Sequence, residues 1–400
     1  MKYAVLIADG MADRPLEELF GKTPLEAAKT PHLDELASEG QVGLCQTVPA
    51  GVTPGTDVST LSILGYDPRR YYSGRGFLEA IHIGVDLKED EVAFRCNLIT
   101  TEEDRIIDYS AGHISTEEAR VLIHHLNQTL VRKGVRFYPG VSYRHLLVVK
   151  KSVSPTGKFE VQATGPHTLA GKEVGAHLPQ GEGAEFLREL MEASRHSLQD
   201  HEVNKVRIDL NENPATMIWL WGPGTQCEVP SFKERFGVEG AVISAIDLIK
   251  GIGKMVGFEV VKVPGATGYY DTNYLGKAEY ALEALKRKDL VLVHLEATDE
   301  AGHNGDLKAK MAAIEKFDKL IVGTIARGLR RNKNNRILVM PDHATLVSTR
   351  SHVSDPVPFL LYGKDIAPGR AKAFSEKEAK ETGFVVDEGH RLMDAFILKG

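Results

Sequence analysis

The sequence predicts an α/β protein, with a mainly parallel sheet flanked by helices and a smaller α+β domain inserted into it. Three observations carry this prediction. A continuous apolar run at 4–8 and largely apolar runs at 290–295, 337–340 and 357–362 read as strands. Segments with apolar residues at helical spacing stand between the later runs, so strands and helices alternate. The chain's 400 residues exceed one ordinary domain, and the alternation lapses in the middle. The expected division is 1–86 with 236–400 for the larger domain and 87–235 for the insert.

Residues 4–8 form the first strand. Thr30-Pro31 opens a helix, with Thr30 as its cap and Pro31 at the first helical position. Leu33, Leu36 and Ala37 make its buried stripe and Gly40 ends it. Pro54-Gly55 breaks the chain. Val58, Leu61 and Leu64 then recur at helical spacing, which puts Thr56 near a helix N-terminus. In the insert, Ser115-Thr-Glu-Glu118 is a capping box for a helix expected to run to Gly134. There, 143–149, 159–163 and 217–221 read as strands and 184–198 as a helix. In the last part, 241–256 carries Val242, Ala245, Ile246, Ile249 and Ile252 at helical spacing. A strand at 258–263, a helix at 274–286, the strand at 290–295, a long helix at 307–329 and the strands at 337–340 and 357–362 complete the order. No internal repeat or low-complexity segment stands out.

The formal charge is −6, and no block of Lys and Arg points to nucleic acid. The densest basic cluster, Arg327, Arg330 and Arg331, closes a helix, where positive charge suits the dipole. An anionic substrate would therefore need local positive charge. Cys45, Cys96 and Cys227 are far apart and form no Cys-x-x-Cys pair, which argues against a disulfide framework or a thiolate zinc site. No apolar stretch approaches the ~20 residues of a membrane helix, and the first apolar run is too short for a signal peptide. The expectation is a reduced, cytoplasmic protein without membrane or nucleic-acid partners, a monomer or small homo-oligomer.

The chemistry gathers at strand ends. Asp9 ends the first strand, Asp299 follows the strand at 290–295, and Asp342-His343 follows the strand at 337–340. Ligands of open α/β sheets bind beyond the carboxyl ends of strands. Three acids there repel one another unless cations sit among them, and metal ions are the economical choice. Asp299 and His303 are four apart, so on a helix they share a face and can grip one ion. Asp342 and His343 are adjacent and can serve two ions, and His352 stands just before the next strand. Oxygen and imidazole donors without thiolates suit manganese, magnesium, cobalt or zinc. Thr56, where the helix dipole favours phosphate, could supply a nucleophilic hydroxyl. By local pattern alone it reads as an N-cap. Ser59 and Ser62, further along the helix, are expected to lie too far from the strand ends.

These residues resemble the cofactor-independent phosphoglycerate mutases of the archaeal-type branch, within the alkaline phosphatase superfamily. The resemblance rests on Ala8-Asp9-Gly10, Gly55 through Pro68, Gly74-Arg-Gly-Phe77, Ser110 through Glu118, Tyr143 through Leu147, Gly265-Ala-Thr-Gly268, Thr298 through His303, Pro341-Asp-His343 and His352 through Pro358. It implies an alkaline-phosphatase-like core and two divalent ions. Asp9, Thr56, Asp342 and His343 would hold one; Asp299, His303 and His352 would hold the other. It implies interconversion of 3-phosphoglycerate and 2-phosphoglycerate without 2,3-bisphosphoglycerate, through phosphothreonine at Thr56, in glycolysis and gluconeogenesis. The family's usual nucleophile is serine, and here it is threonine. The scheme needs the inserted domain to retain glycerate and exclude water. Arg75, Arg95 and Arg144 are candidate forks for phosphate or carboxylate, Lys277 a candidate to neutralise the transferring phosphoryl group, and His113 a candidate neighbour of the glycerate hydroxyls. A metal-dependent phosphatase or phosphodiesterase is the alternative. A sulfatase is disfavoured by Thr56, and a non-catalytic metal-binding module by the complete donor set.

Overall fold

The computed structural model describes residues 1–130, 132–330 and 334–397; Arg331 lies outside them. The chain divides into two compact units, Met1–Tyr72 with Glu228–Gly400, and Ser73–Cys227. The sequence-based boundaries of 87 and 235 differ from these by several residues. The helix Arg75–Ile83 packs on the strands Glu91–Glu102 and Met217–Thr225, which draws it into the second unit.

The first unit is built on an eight-stranded sheet. Across it stand Glu259–Val260, Gly240–Ile243, Leu290–Leu295, Lys2–Ala8, Asn335–Met340, Val357–Gly363, Gln41–Cys45 and Val385–Val386. Val357–Gly363 pairs antiparallel with both neighbours, and the other pairings are parallel. The central strands are buried along nearly their whole length, as a sheet with helices on both faces requires. Their register matters most for function. Ala8 lies opposite Leu295, and Ile7 opposite Met340, so three strands end level at one edge.

Several local expectations change. Residues 240–243 are a strand, and the helix begins only at Asp247. Ala241, Val242 and Ile243 are all buried, which a strand inside a sheet achieves and one face of a helix does not. Gly240 admits the Phe258 ring, which a Cβ would meet at 2.3 Å. The strand expected at 258–263 shrinks to Glu259–Val260, an edge pairing. Thr30 makes no side-chain cap. Asp318 instead accepts hydrogen bonds from the amides of His32 (3.3 Å) and Leu33 (2.7 Å). It is turned toward them within a π-helical stretch, Phe317–Val322, between Leu307–Lys316 and Gly323–Leu329. The strand Gln41–Cys45 and the helix Glu202–Asp209 were not expected.

The second unit holds an antiparallel sheet centred on Glu91–Glu102, a twelve-residue strand that the sequence did not reveal. It pairs with Arg105–Asp108, Arg144–Lys150 and Met217–Thr225, and Val135–Val141 pairs with Arg144–Lys150. The expected capping box forms: Ser115 Oγ accepts from the Glu118 amide, and Glu118 accepts from the Ser115 amide. Its helix ends at Thr129, before Gly134. No described helix is long and apolar enough to cross a membrane.

Candidate metal centre

The level strand ends set three acids side by side. Asp9 follows Ala8, Glu296 follows Leu295, and Asp342 stands two residues beyond Met340. Gly10 turns the chain away with a φ of +61°. A Cβ there would lie 2.5 Å from both Asp299 Oδ1 and Thr345 Oγ1, so glycine is what lets the strand end approach the acids. The Gly10 amide donates to Asp342 Oδ1 at 3.1 Å and the His343 amide at 2.9 Å.

Two groups of donors converge here. In the first, His343 Nε2 lies 3.3 Å from Asp9 Oδ1 and 3.4 Å from Asp342 Oδ2. Thr56 Oγ1 is 3.3 Å from both Asp9 Oδ2 and His343 Nε2. Thr56 is the first residue of the helix Thr56–Ile63, and extended Gly55 is its N-cap, so Thr56 is not the cap. In the second group, the helix Ala297–Asn304 places Asp299 and His303 one turn apart, with Oδ2 and Nε2 separated by 3.2 Å. The hairpin of Ala344–Leu346 and Ser351–Val353 returns His352 beside Thr345. His352 Nε2 then stands 3.3 Å from Asp299 Oδ1 and 2.8 Å from His303 Nε2. His303 Nδ1 lies 3.0 Å from the Arg350 carbonyl, which accepts its hydrogen and leaves Nε2 as a lone-pair donor. The structure thus brings together every proposed ligand: Asp9, Thr56, Asp342 and His343, and Asp299, His303 and His352.

These residues fit divalent cations. Asp9, Asp342 and His343 are fully buried, and Asp9 Oδ1 has no hydrogen-bond partner. Burial, reinforced by Asp342, Glu296 and Asp299, holds the Asp9 carboxyl well above the ordinary range. Burial alone would also raise Asp299, but His303 and His352 hold it well below. Asp299 in turn pushes His303 up to about 9. Nitrogen atoms crowded against one carboxylate, and buried acids crowded against each other, form a site organised for positive charge.

Several participants were not anticipated. Ser59 was expected to lie out of reach, yet its Oγ sits 3.0 Å from Asp342 Oδ2 as well as 2.9 Å from the Gly55 carbonyl. It is three residues after Thr56 and so shares its helix face. His294 Nε2 lies 3.1 Å from Asp9 Oδ2, and its ring is pushed down to about 4 by burial. Glu296 is pushed up to about 8 by burial and by the charge of Asp299. Thr345 Oγ1 donates to Asp299 Oδ1. Beneath them, the fully buried Lys310 donates to Asp13 Oδ2 (2.8 Å), the Ala12 carbonyl (3.2 Å) and the Thr345 carbonyl (2.6 Å). One ammonium thereby ties the loop after Asp9 to the strand after His343. Its signal was a lysine set between Leu307 and Ile314 on an apolar helix stripe. Lys277, also fully buried, donates to the His294 carbonyl at 2.7 Å and is lowered to about 8 by burial, against the opposing pull of Glu296.

In the second unit, strand pairing places Arg95 and Arg144, and the helix Arg75–Ile83 packed on those strands brings Arg75. Arg95 is opposite Trp221, and its guanidinium lies 4.5 Å from the centre of that ring. Arg75 lies over the same ring at 5.6 Å. Arg144 stands opposite Asn97, whose Oδ1 accepts from the Trp221 indole at 3.1 Å. Arg95 is lowered first by burial and then by the charges of Arg75 and Arg144, against Glu79, 3.3 Å away. His113 is exposed, with a φ of +50°, and its amide donates to Ser110 Oγ at 3.1 Å.

Known proteins share this arrangement of sequence and fold. A family model for 2,3-bisphosphoglycerate-independent phosphoglycerate mutase matches residues 37–204. A Methanosarcina acetivorans protein of that name is 51% identical over 382 residues, covering 95% of each chain. A Geobacter sulfurreducens protein named as a probable member is 48% identical over 402 residues, covering 99% of this chain and 100% of its own. Among solved structures, a Pyrococcus horikoshii protein aligns with a TM-score of 0.82 at 32% identity, covering 99% of this chain and 96% of its own. The cofactor-independent phosphoglycerate mutase of Thermoplasma acidophilum aligns at 0.66 with 28% identity, covering 100% of both.

Proposed function

The chain belongs to the 2,3-bisphosphoglycerate-independent phosphoglycerate mutase family, and from that membership we propose that it interconverts 3-phosphoglycerate and 2-phosphoglycerate through a phosphorylated Thr56, without 2,3-bisphosphoglycerate. The observation that carries this proposal is a single hydroxyl, Thr56 Oγ1, set 3.3 Å from both Asp9 and His343 amid buried acids. Asp9, Thr56, Asp342 and His343 would hold one divalent cation and Asp299, His303 and His352 a second. When bound, such cations stabilise negative charge on the attacking and leaving oxygens.

The side chains then have separate tasks. Thr56 releases its hydroxyl hydrogen, Asp9 Oδ2 being its nearest acid acceptor. The threonine oxygen bonds to phosphorus as the bond from phosphorus to the C3 oxygen breaks, and that oxygen leaves with a proton as a glycerate hydroxyl. The reverse steps on the C2 oxygen return the phosphoryl group and restore the Thr56 hydroxyl, so nothing is gained or lost overall. Asp342, held by two amides and Ser59, keeps its oxygens fixed. Arg75, Arg95 and Arg144 recognise the carboxylate or phosphate by bidentate bonds. Lys277 supplies a fixed positive charge at the strand ends. A cytoplasmic, glycolytic or gluconeogenic role accords with these substrates.

A coupled assay tests the proposal by following 2-phosphoglycerate formation from 3-phosphoglycerate with no 2,3-bisphosphoglycerate present. Activity should vanish on chelation and return with manganese. Phosphate released to solution instead of appearing on C2 would make the protein a hydrolase and overturn the mutase proposal.

A further inference from the structure

Three consecutive residues of the second unit, Ala111, Gly112 and His113, are left-handed, with φ of +49°, +66° and +50°. Glycine adopts this conformation freely, but alanine and histidine hold it only at a cost. Such strain persists where the surroundings over-determine it. Ala111 and Ile114 are fully buried, while the His113 side chain between them is exposed. An imidazole is thus held out to solvent from a backbone that its neighbours fix.

Two charged side chains do the fixing. Asp108 grips the amides: its Oδ1 accepts from the Ser110 amide (2.7 Å) and hydroxyl (2.6 Å), and its Oδ2 from the Gly112 amide (2.7 Å) and Asn213 Nδ2 (3.1 Å). Arg207 grips the carbonyls: its Nη2 donates to those of Ala111 (2.9 Å) and Gly112 (3.3 Å), and its Nε to that of Asn213 (3.0 Å). Its Nη1 reaches both oxygens of Glu118 at 3.1 Å and Glu212 Oε2 at 3.0 Å. A Cβ on Gly112 would meet Arg207 Nη2 at 2.7 Å, so the glycine lets the guanidinium reach both carbonyls. Burial alone would raise the Asp108 and Glu118 carboxyls, yet their hydrogen bonds hold both below the ordinary range, and both stay ionised as acceptors.

The helix Glu202–Asp209 turns Asn204 and Arg207 inward and leaves Val206 and Ile208 exposed. A helix that served packing alone would bury its apolar pair. Here burial goes to the side chain that grips the loop. The loop also joins the hairpin that carries Arg144. Ser142 Oγ donates to the Ile114 carbonyl at 2.7 Å, and the Ser142 amide to Thr116 Oγ1 at 3.1 Å. The Tyr109 ring meets Tyr143 edge-on at 5.7 Å, and the Arg144 guanidinium lies 5.6 Å from the centre of the Tyr143 ring. The strained segment therefore stands beside the arginine cluster proposed to recognise the anion.

We propose that Arg207 is a positioning residue of the mutase reaction, fixing the left-handed loop with Asp108 so that His113 meets the glycerate hydroxyls from one place. This rests on the mutase proposal above, and the test separates the two. Turnover of 3-phosphoglycerate by the full chain with manganese is measured for Arg207→Lys, His113→Ala and the double variant, with a urea midpoint for each. Arg207→Lys keeps the charge beside Glu118 and Glu212 but loses the planar fork to the two carbonyls. It should lower kcat/KM roughly 10–100-fold, chiefly through KM. His113→Ala should do the same, and the double variant should be no worse than His113→Ala, because both changes remove one function. The fall in urea midpoint caused by Arg207→Lys should by contrast persist in both backgrounds. Kinetic losses that multiply in the double variant, or an unchanged KM in Arg207→Lys, overturn the proposal. A chain that forms no 2-phosphoglycerate before any substitution sinks the mutase reading instead. Asp108→Asn, measured in the same two backgrounds, decides the matter if Arg207→Lys fails to fold.

Discussion

The two units concentrate opposite charges by opposite means. In the first, acids gather where parallel strands stop, and Asp9 and Asp342 stay fully buried there. In the second, guanidiniums gather along antiparallel strands and the helix packed on them, stacked on Trp221 and held near Glu79. The first cluster is rich in carboxylates, and the second is rich in guanidiniums. The acids are proposed to hold the metals that act on phosphorus, and the arginines are proposed to recognise anionic oxygens. The contrast also separates chemistry from recognition, and substitutions in the two regions should therefore damage different kinetic constants.

The largest effect should come from Thr56. Thr56→Ala should lower kcat at least ~10³-fold, the scale on which loss of a nucleophile acts. Thr56→Ser should retain activity. Incubation with ³²P-labelled phosphoglycerate and rapid acid quenching should trap label on Thr56 in the unsubstituted chain only. Normal turnover in Thr56→Ala would remove the hydroxyl from the chemistry and leave the acid cluster without its proposed task.

This asymmetry also governs how much could be read from the sequence. The acid cluster was largely legible because an acid after an apolar run is a landmark that survives errors in the strand's limits. Asp9, Asp299 and Asp342 all stand at such landmarks. His294 and Glu296 were missed because His294 lies inside a strand run and Glu296 gave way to the motif after it. Ser59 was missed because distance along a helix was counted instead of face. The arginine cluster was legible only as a set of candidates. Which of them meet depends on pairing between residues far apart in sequence, such as Arg95 with Trp221 and Asn97 with Arg144. The strand that carries two of these positions, Glu91–Glu102, was itself not read. It is buried almost throughout and shows no clean alternation. The central strands of the parallel sheet were legible because they are largely apolar runs. The strand at 240–243 was not, since four residues cannot establish a period.

Next in size is the tie beneath the acids. Lys310→Met should destabilise the fold by about 3–5 kcal/mol, because it leaves Asp13 as a buried charge without its ammonium. Adding Asp13→Asn should recover part of that loss in urea titrations. If the double variant is no more stable than the single one, the cost comes from the backbone ties to Ala12 and Thr345 instead. Arg95→Ala should raise KM about 10–100-fold, as loss of a charged hydrogen bond worth about 1.5–3 kcal/mol implies, with a smaller change in kcat. Arg95→Lys should restore little, since an ammonium lacks the planar fork and the stacking on Trp221. A fall in kcat with KM unchanged would place Arg95 in the chemistry and erase the division of labour between the two regions.

The smallest effect concerns an acid of the first unit that no metal is proposed to serve. Glu376 accepts hydrogen bonds from Thr23 Oγ1 (2.7 Å) and the Asp13 amide (3.2 Å), and burial pushes its carboxyl up to about 7. Its nearest buried cation, Lys310, is already engaged by Asp13. A carboxyl raised from about 4.5 to about 7 binds its proton more tightly in the folded state. The folded chain therefore carries more protons across that window, and stability falls as pH rises through it. The residue keeps part of its surface in solvent, so the change should be about 1 kcal/mol, below what the full shift implies. Glu376→Gln should abolish this slope. Any fixed cost of replacing one oxygen by an amide appears equally at pH 5 and pH 8, so the difference between the two pH values isolates the charge. Urea midpoints of both proteins, measured at each pH with manganese constant, give that difference. Parallel curves would mean that Glu376 ionises without penalty. Acid crowding would then cost stability only where the metals are proposed to bind, and the contrast between the two units would narrow to the strand ends alone.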